Sequence, residues 1–132
     1  MIFPKLTAYY AALFATLLVA LSARVVLGRV KTRTHHGDGG IDRMNRIIRA
    51  QANFTEYVPL ALFMVALLES GGAPELQVHS LLAPLLLARL MHPIGMMAPV
   101  ASAQQLGLRG VSAIVTWAVL LAAALLLLLR PL

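Results

Sequence analysis

The sequence predicts an all-α membrane protein, a single bundle of four transmembrane helices. Hydrophobic residues make up 60% of the 132 residues and charged residues only 12%, whereas about 25% of a soluble domain is charged. Four segments have roughly the 20 residues that a helix needs to cross a bilayer. Open strands leave backbone groups unsatisfied in lipid, and four spans are too few to close a barrel, so these segments are expected to be helices.

The helices are expected at about residues 3–30, 43–69, 76–100 and 108–130 of one domain, residues 1–132. The first is expected to be a retained helix because its apolar run is longer than that of a signal peptide. The second reaches membrane-spanning length only when its polar beginning is counted, and the third only if Arg89 and His92 lie within it. Pro59 predicts a kink in the second helix that would open a cleft above Glu56.

The distribution of positive charge predicts the topology. Six of the eleven Lys and Arg residues lie from Arg29 to Arg49, and none lies in the turn from Glu69 to Glu75. The positive-inside rule then places the first loop and the third loop, residues 101–107, in the cytoplasm and both termini outside.

The same composition argues against several classes of function. The net charge of +6 follows the loops as topology signals do, so no nucleic-acid partner is expected. The chain has no cysteine, which excludes disulfides and thiolate metal sites. His35 and His36 lie in a flexible loop without further residues at metal-ligand spacing, so no metal is expected.

Polar side chains from all four helices are predicted to meet in the cytoplasmic half of the membrane. A charged residue at mid-helix costs about 2.5–3.5 kcal/mol on insertion scales, so these side chains should face other helices or a cleft. Helical spacing places one group on a single stripe of the second helix and another on one face of the third. The set comprises Arg24, Arg46, Arg49, Gln51, Asn53, Glu56, Tyr57, Arg89, His92 and Arg109.

Structural roles are open for several of these residues. Arginines near helix ends can extend to lipid phosphates, Glu56 can neutralise an arginine of a neighbouring helix, and Asn53 can form an interhelical hydrogen bond. Taken together, however, four arginines face the one carboxylate of Glu56. A dry site with this imbalance is unstable without an added anion. The sequence therefore predicts a polyanionic ligand that carries one cationic group.

The segment RAQANFTEYVPL, residues 49–60, resembles the second-helix signature of the MAPEG family, the membrane-associated proteins in eicosanoid and glutathione metabolism. The pattern Arg-x-x-x-Asn-x-x-Glu-Tyr is specific because it places polar residues inside an apolar helix. Ser22-Ala23-Arg24 resembles the end of the family's first helix, and Arg109 falls where the family has an arginine opening its fourth. The resemblance covers the whole chain.

This resemblance implies a homotrimer that binds glutathione between subunits in the cytoplasmic half. Arg109 would stabilise the glutathione thiolate, because a nearby guanidinium lowers a thiol pKa from its ordinary value of about 8.5. The stretch from Arg89 to Met96 lacks the helix-three tyrosines of eicosanoid-branch members, and His92 would replace them as a donor. The residues implied to bind glutathione are Arg24, Arg49, Gln51, Asn53, Glu56, Tyr57, Arg89 and His92.

The implied function is that of a glutathione-dependent transferase or peroxidase. Its substrates would be lipophilic electrophiles or lipid hydroperoxides that arrive from the bilayer. The missing tyrosines are typical of the bacterial branch, which implies a bacterial inner membrane. The alternative is a non-catalytic lipid-binding or scaffold protein of the same fold, because family membership does not settle catalysis. A transporter is disfavoured because the polar groups lie in one leaflet only.

Overall fold

The computed structural model describes residues 3–129, and these form four α-helices. They are α1 (Lys5–Thr32), α2 (Asp42–Ser70), α3 (Glu75–Met97) and α4 (Ala103–Leu128). Each is long and apolar enough to cross a membrane by its length and composition. The predicted all-helical class with four candidate spans is therefore confirmed.

Helices α2 and α3 form the centre of the bundle. Helix α1 packs on α2 and α3, and α4 packs on the other side of the same pair. The core between them is aliphatic, with one edge-to-face contact between Phe14 and Phe54 whose ring centroids are 6.0 Å apart. Large apolar side chains cover the outer faces of the bundle, as expected where the solvent is lipid.

Helices α3 and α4 meet at a shorter loop than the sequence predicts. Helix α3 ends at Met97, since Ala98 precedes Pro99 and adopts the extended conformation that proline imposes on its predecessor. Helix α4 begins at Ala103, five residues before the predicted start, because the Ser102 hydroxyl accepts a hydrogen bond from the Gln105 amide at 3.1 Å. This is the usual role of a serine at a helix N-cap.

Helix α2 is continuous from Asp42 to Ser70, with Pro59 inside it. The predicted fourth helix extended to residue 130, and that residue lies outside the described part of the chain.

The N-terminus of α1 is capped by a side chain from the end of α2. The Glu69 carboxylate accepts the Leu6 and Thr7 amides, both at 2.8 Å, and the Thr7 hydroxyl at 2.7 Å. These amides belong to the first turn of α1, where a helix supplies no acceptor of its own. Nearby, the Tyr10 hydroxyl and His79 Nδ1 are 3.0 Å apart. Both contacts fasten α1 to the end of the bundle at which α2 turns into α3.

Candidate functional site

A buried arginine joins three helices at the centre of the predicted site. Arg89 of α3 is only 2% exposed. Its guanidinium donates to Asn53 Oδ1 of α2 at 2.7 Å, to the Ser112 carbonyl of α4 at 3.1 Å, and to the Thr116 hydroxyl. Its Nε is buried without a partner. Two of the sequence-predicted residues, Asn53 and Arg89, are thus brought into direct contact.

The positive charge of Arg89 is stabilised by neutral hydrogen-bond acceptors and not by a carboxylate. Among residues 3–129, the ion pairs are Arg46 with Asp42 and Arg49 with Glu56, and Arg89 belongs to neither. A buried cation without a carboxylate is costly unless its hydrogen bonds are well satisfied. Most hydrogen-bond donors of Arg89 are therefore committed within the chain.

On the surface of α2, Arg49 and Glu56 face each other. Arg49 Nη1 lies 3.4 Å from Glu56 Oε1, and the two side chains are 54% and 46% exposed. They are seven residues apart, which places them on one helical stripe, as predicted. Tyr57 beside them is half-buried. The chain leaves this pair accessible to another molecule or another subunit.

Two other polar residues of α2 point elsewhere. Arg46 bonds to Asp42 at 2.8 Å and donates to the Ala98 carbonyl at 3.1 Å, so it holds the end of α3 against α2. Gln51 donates to the Ser22 hydroxyl of α1 at 3.2 Å. These contacts favour the structural interpretation of Arg46 and turn Gln51 towards α1.

His92, Arg109 and Arg24 lie at the same end of the bundle. His92 is buried on α3, one turn beyond Arg89. At Gly95 the helices approach so closely that an added Cβ would lie 2.7 Å from the Arg109 amide nitrogen, so the second turn of α4 packs closely against α3. The Arg109 side chain is exposed, as is that of Arg24 on α1. Neither forms an ion pair within the described residues.

The structure therefore sorts the predicted residues into separate groups. An interior group lies between α2, α3 and α4, a surface group lies on α2, a third group lies on α1 or contacts it, and Arg109 lies in the second turn of α4. Residues 3–129 contain no cluster of three His, Asp or Glu side chains arranged to hold a metal ion. The groups are, in this order, Asn53, Arg89 and His92; Arg49, Glu56 and Tyr57; Arg24 and Gln51; and Arg109.

Sequence reasoning missed the hydroxyl residues that complete these contacts. Thr116 and Ser112 are both buried in α4 and complete the surroundings of Arg89, while Ser22 accepts from Gln51. A signal was present, since Ser112 and Thr116 are four residues apart in an otherwise apolar helix and so share one face.

The architecture defines a four-helix membrane protein with a polar site at one end of the bundle. The MAPEG family model matches residues 7–129. The Inner membrane protein YecN of Escherichia coli strain K12 is 39% identical over 89 residues, which cover 67% of this chain and 68% of that relative. The protein of the same name from Escherichia coli O6:H1 strain CFT073 matches equally.

No solved structure matches this chain. The chain belongs to the MAPEG family, and it is a membrane protein of that family.

Proposed function

We propose that this protein is a membrane-bound glutathione-dependent transferase or peroxidase that acts on lipophilic electrophiles or lipid hydroperoxides. The observation that carries the proposal is the exposed Arg49–Glu56 pair, which has Arg24 and Arg109, both without an ion pair among residues 3–129, at the same end of the bundle. Glutathione has two carboxylates and one ammonium group. The arginines complement its carboxylates, and Glu56 complements its ammonium group.

The positions of Arg49 and Gln51 support a site between subunits. A helix turns through about 100° per residue, so these two side chains point about 160° apart on α2. Gln51 contacts α1, whereas Arg49 is on the exposed stripe with Glu56. One glutathione can contact both groups only when they come from different copies of the chain. A homotrimer with glutathione in its interfaces meets this requirement.

The interior group orients the surface group. Because Asn53 Oδ1 accepts from Arg89, the amide nitrogen of Asn53 is left to donate to a carbonyl or carboxylate of the bound peptide. His92 is buried one turn beyond Arg89 and would act as a further donor at the deep edge of the site. In this way a fully buried arginine contributes to binding by fixing the orientation of another side chain.

Arg109 would supply the chemistry. A glutathione thiol has an ordinary pKa of about 8.5, and a guanidinium beside it lowers that pKa so that the thiolate forms near neutral pH. The thiolate is the nucleophile. In a transferase reaction the thiolate would form a carbon–sulfur bond with the electrophile and expel its leaving group. In a peroxidase reaction it would attack a peroxide oxygen, break the O–O bond and release the lipid alcohol, and a second glutathione would reduce the resulting sulfenic acid to glutathione disulfide and water. The substrate would enter from the bilayer, and the first and third loops would face the cytoplasm of a bacterial cell.

The first test is a glutathione titration of the detergent-purified protein at neutral pH, followed by the ultraviolet absorbance of the thiolate and by calorimetry. We expect Arg109→Ala to abolish the thiolate signal while largely retaining binding. We expect Arg49→Ala and Glu56→Ala to lower affinity, by about tenfold for each lost charged contact. Arg33→Gln, which removes an exposed cation at the same end, is the matched control. Unchanged affinity in both α2 variants would refute the assignment.

A non-catalytic scaffold or lipid-binding protein is the second candidate. The observation that favours it is that Arg49 and Glu56 already pair with each other and that both Nη atoms of Arg89 donate hydrogen bonds within the chain. In that case the titration would give neither a thiolate signal nor heat of binding.

A further inference from the structure

A basic cavity lies between the end of α1 and the start of α2, outside the Arg49–Glu56 surface. Its volume is about 410 Å³. Cations line its rim and aliphatic side chains line its floor. The lining includes Lys31, Arg43 and Arg24, together with Leu27, Met44 and Ile47.

The positive charges of this cavity are uncompensated. Lys31, Arg43 and Arg24 make no ion pair among the described residues. The two carboxylates of the adjoining loop are used elsewhere: Asp38 accepts from the Asn45 side chain at 2.7 Å and from the Gly40 amide at 2.9 Å. Asp42 pairs with Arg46. No carboxylate of residues 3–129 lines the cavity, so it attracts an anion.

The residues of α1 that line the cavity lie at different depths along the helix axis. Arg24, Leu27 and Lys31 lie on one face of α1, at spacings of three and seven residues, and Arg24 is about 10 Å deeper along the helix axis than Lys31. Leu27 is 67% exposed, so the apolar part of the cavity is open to the side. The cations at the end of α1 therefore adjoin a surface that is open to an acyl chain.

We propose that this cavity binds an anionic phospholipid. Lys31 and Arg43 hold its phosphate, and one acyl chain lies along Leu27 and Ile47. Basic pockets beside membrane helices recognise anionic headgroups in this way, and each cation near the membrane surface strengthens the attraction. A free phosphate would use the cations but not the apolar floor. The proposal does not depend on glutathione binding.

The test compares the double variant Lys31→Gln/Arg43→Gln with wild type and with a control that loses the same charge. The control is Lys5→Gln/Arg33→Asn, because Arg33 lies at the same end of α1 but lines a different cavity, and asparagine tolerates its positive φ of 53°. Each protein is purified in detergent with phosphatidylglycerol or phosphatidylcholine. Bound lipid is then counted by native mass spectrometry, and unfolding midpoints are recorded with and without each lipid.

We expect wild type and control to retain phosphatidylglycerol and to unfold at higher temperature in its presence. The double variant should bind it at least about tenfold more weakly and gain no stability from it, while its midpoint in lipid-free detergent is unchanged. Arg24 is left unaltered so that the glutathione titration of the same variant remains a separate measurement.

Three results would overturn the proposal. Equal weakening in the control would show that binding follows overall charge and not this cavity. Equal protection by soluble glycerol phosphate would show that the cavity takes a free phosphate and not a lipid. A change of subunit number in the double variant, with lipid retention unaltered, would show that a second copy of the chain occupies it.

Discussion

The two ends of the bundle use polar residues in opposite ways. At the acidic end, formed by the start of α1 and the turn between α2 and α3, Glu69 accepts three hydrogen bonds from its own chain. At the basic end, formed by the α1–α2 loop and the start of α4, only Asp42 and Glu56 pair with arginines. The Glu69 carboxylate is satisfied within the chain, whereas among residues 3–129 the basic end keeps cations without an ion pair that an external anion can neutralise.

Within the basic end, Arg89 and Arg109 show the same contrast between a cation with partners in its own chain and one without. Arg89 is the most buried cation of the set, yet its hydrogen bonds are made by Asn53, Ser112 and Thr116 of the same chain. Arg109 is exposed and unpaired among residues 3–129. Burial of a charge in a membrane helix therefore marks an internal structural contact here, and exposure is the better guide to ligand contact.

The largest effect on stability is expected from Asn53→Leu. The substitution keeps the size of the side chain but removes the acceptor of Arg89, which leaves part of a buried cation unsatisfied. Loss of one partner of a buried charged group typically costs about 3 kcal/mol. The free energy of unfolding would be measured in mixed micelles with an increasing fraction of denaturing detergent.

The double variant Asn53→Leu/Arg89→Met is the control for that prediction. It removes the charge together with its acceptor, so most of the lost stability should return. If Asn53→Leu is as stable as wild type, the interior hydrogen bonds are not a structural tie, and Arg89 belongs with the ligand-binding cations.

A smaller loss is expected at the acidic end. Glu69→Ala removes the acceptor of two first-turn amides and one hydroxyl at the start of α1, and loss of a helix cap costs about 1–2 kcal/mol. Amide hydrogen exchange at Leu6 and Thr7 should rise with the loss. Glu75→Ala removes an exposed carboxylate on the same turn. It should change neither the free energy of unfolding nor the amide exchange at Leu6 and Thr7. Equal effects of the two substitutions would mean that net charge, and not the cap, stabilises this end.

The sequence predicted the fold well because membrane spans depend on long apolar runs that can be read directly. The family was also predicted from a motif with fixed spacing, Arg49 to Tyr57, and the family match confirms it. The start of α4 was predicted late because its first turn is polar, although Ser102 and Gln105 carried an N-cap signal.

The separation of the predicted residues into an interior group and surface groups could not be predicted in the same way. Spacing placed Arg49, Asn53 and Glu56 on one stripe, but it cannot show which neighbouring helix each side chain meets. Asn53 turned out to accept from Arg89, and Gln51 to contact α1. The roles of these residues towards glutathione, the trimer and the sidedness of the loops remain predictions, because each depends on molecules outside a single chain.

Breaking the exposed Arg49–Glu56 pair should lower the free energy of unfolding less than Asn53→Leu or Glu69→Ala does. Arg49→Ala and Glu56→Ala should each lower the free energy of unfolding by less than about 1 kcal/mol, because both side chains are about half exposed. The same detergent unfolding experiment measures this. A loss comparable to that of Asn53→Leu would show that the pair is a structural tie, which would favour the scaffold function.

The smallest effect is expected in the α1–α2 loop, where the hydrogen bonds to the Asp38 carboxylate can be followed as the pH is changed. The Asn45 side chain and the Gly40 amide donate to it and hold its pKa below the ordinary value of 3.8. Because the pKa is depressed in the folded loop, these bonds contribute fully above pH 3.8 and are lost as the pH falls through the lower, folded value. The Gly40 amide chemical shift should therefore titrate with a midpoint below 3.8. Asn45→Ala should move that midpoint upwards, since Asn45 makes the largest contribution, and Asp38→Ala should abolish it. A midpoint that stays the same in Asn45→Ala would mean that the loop's own backbone, and not the first turn of α2, orients Asp38.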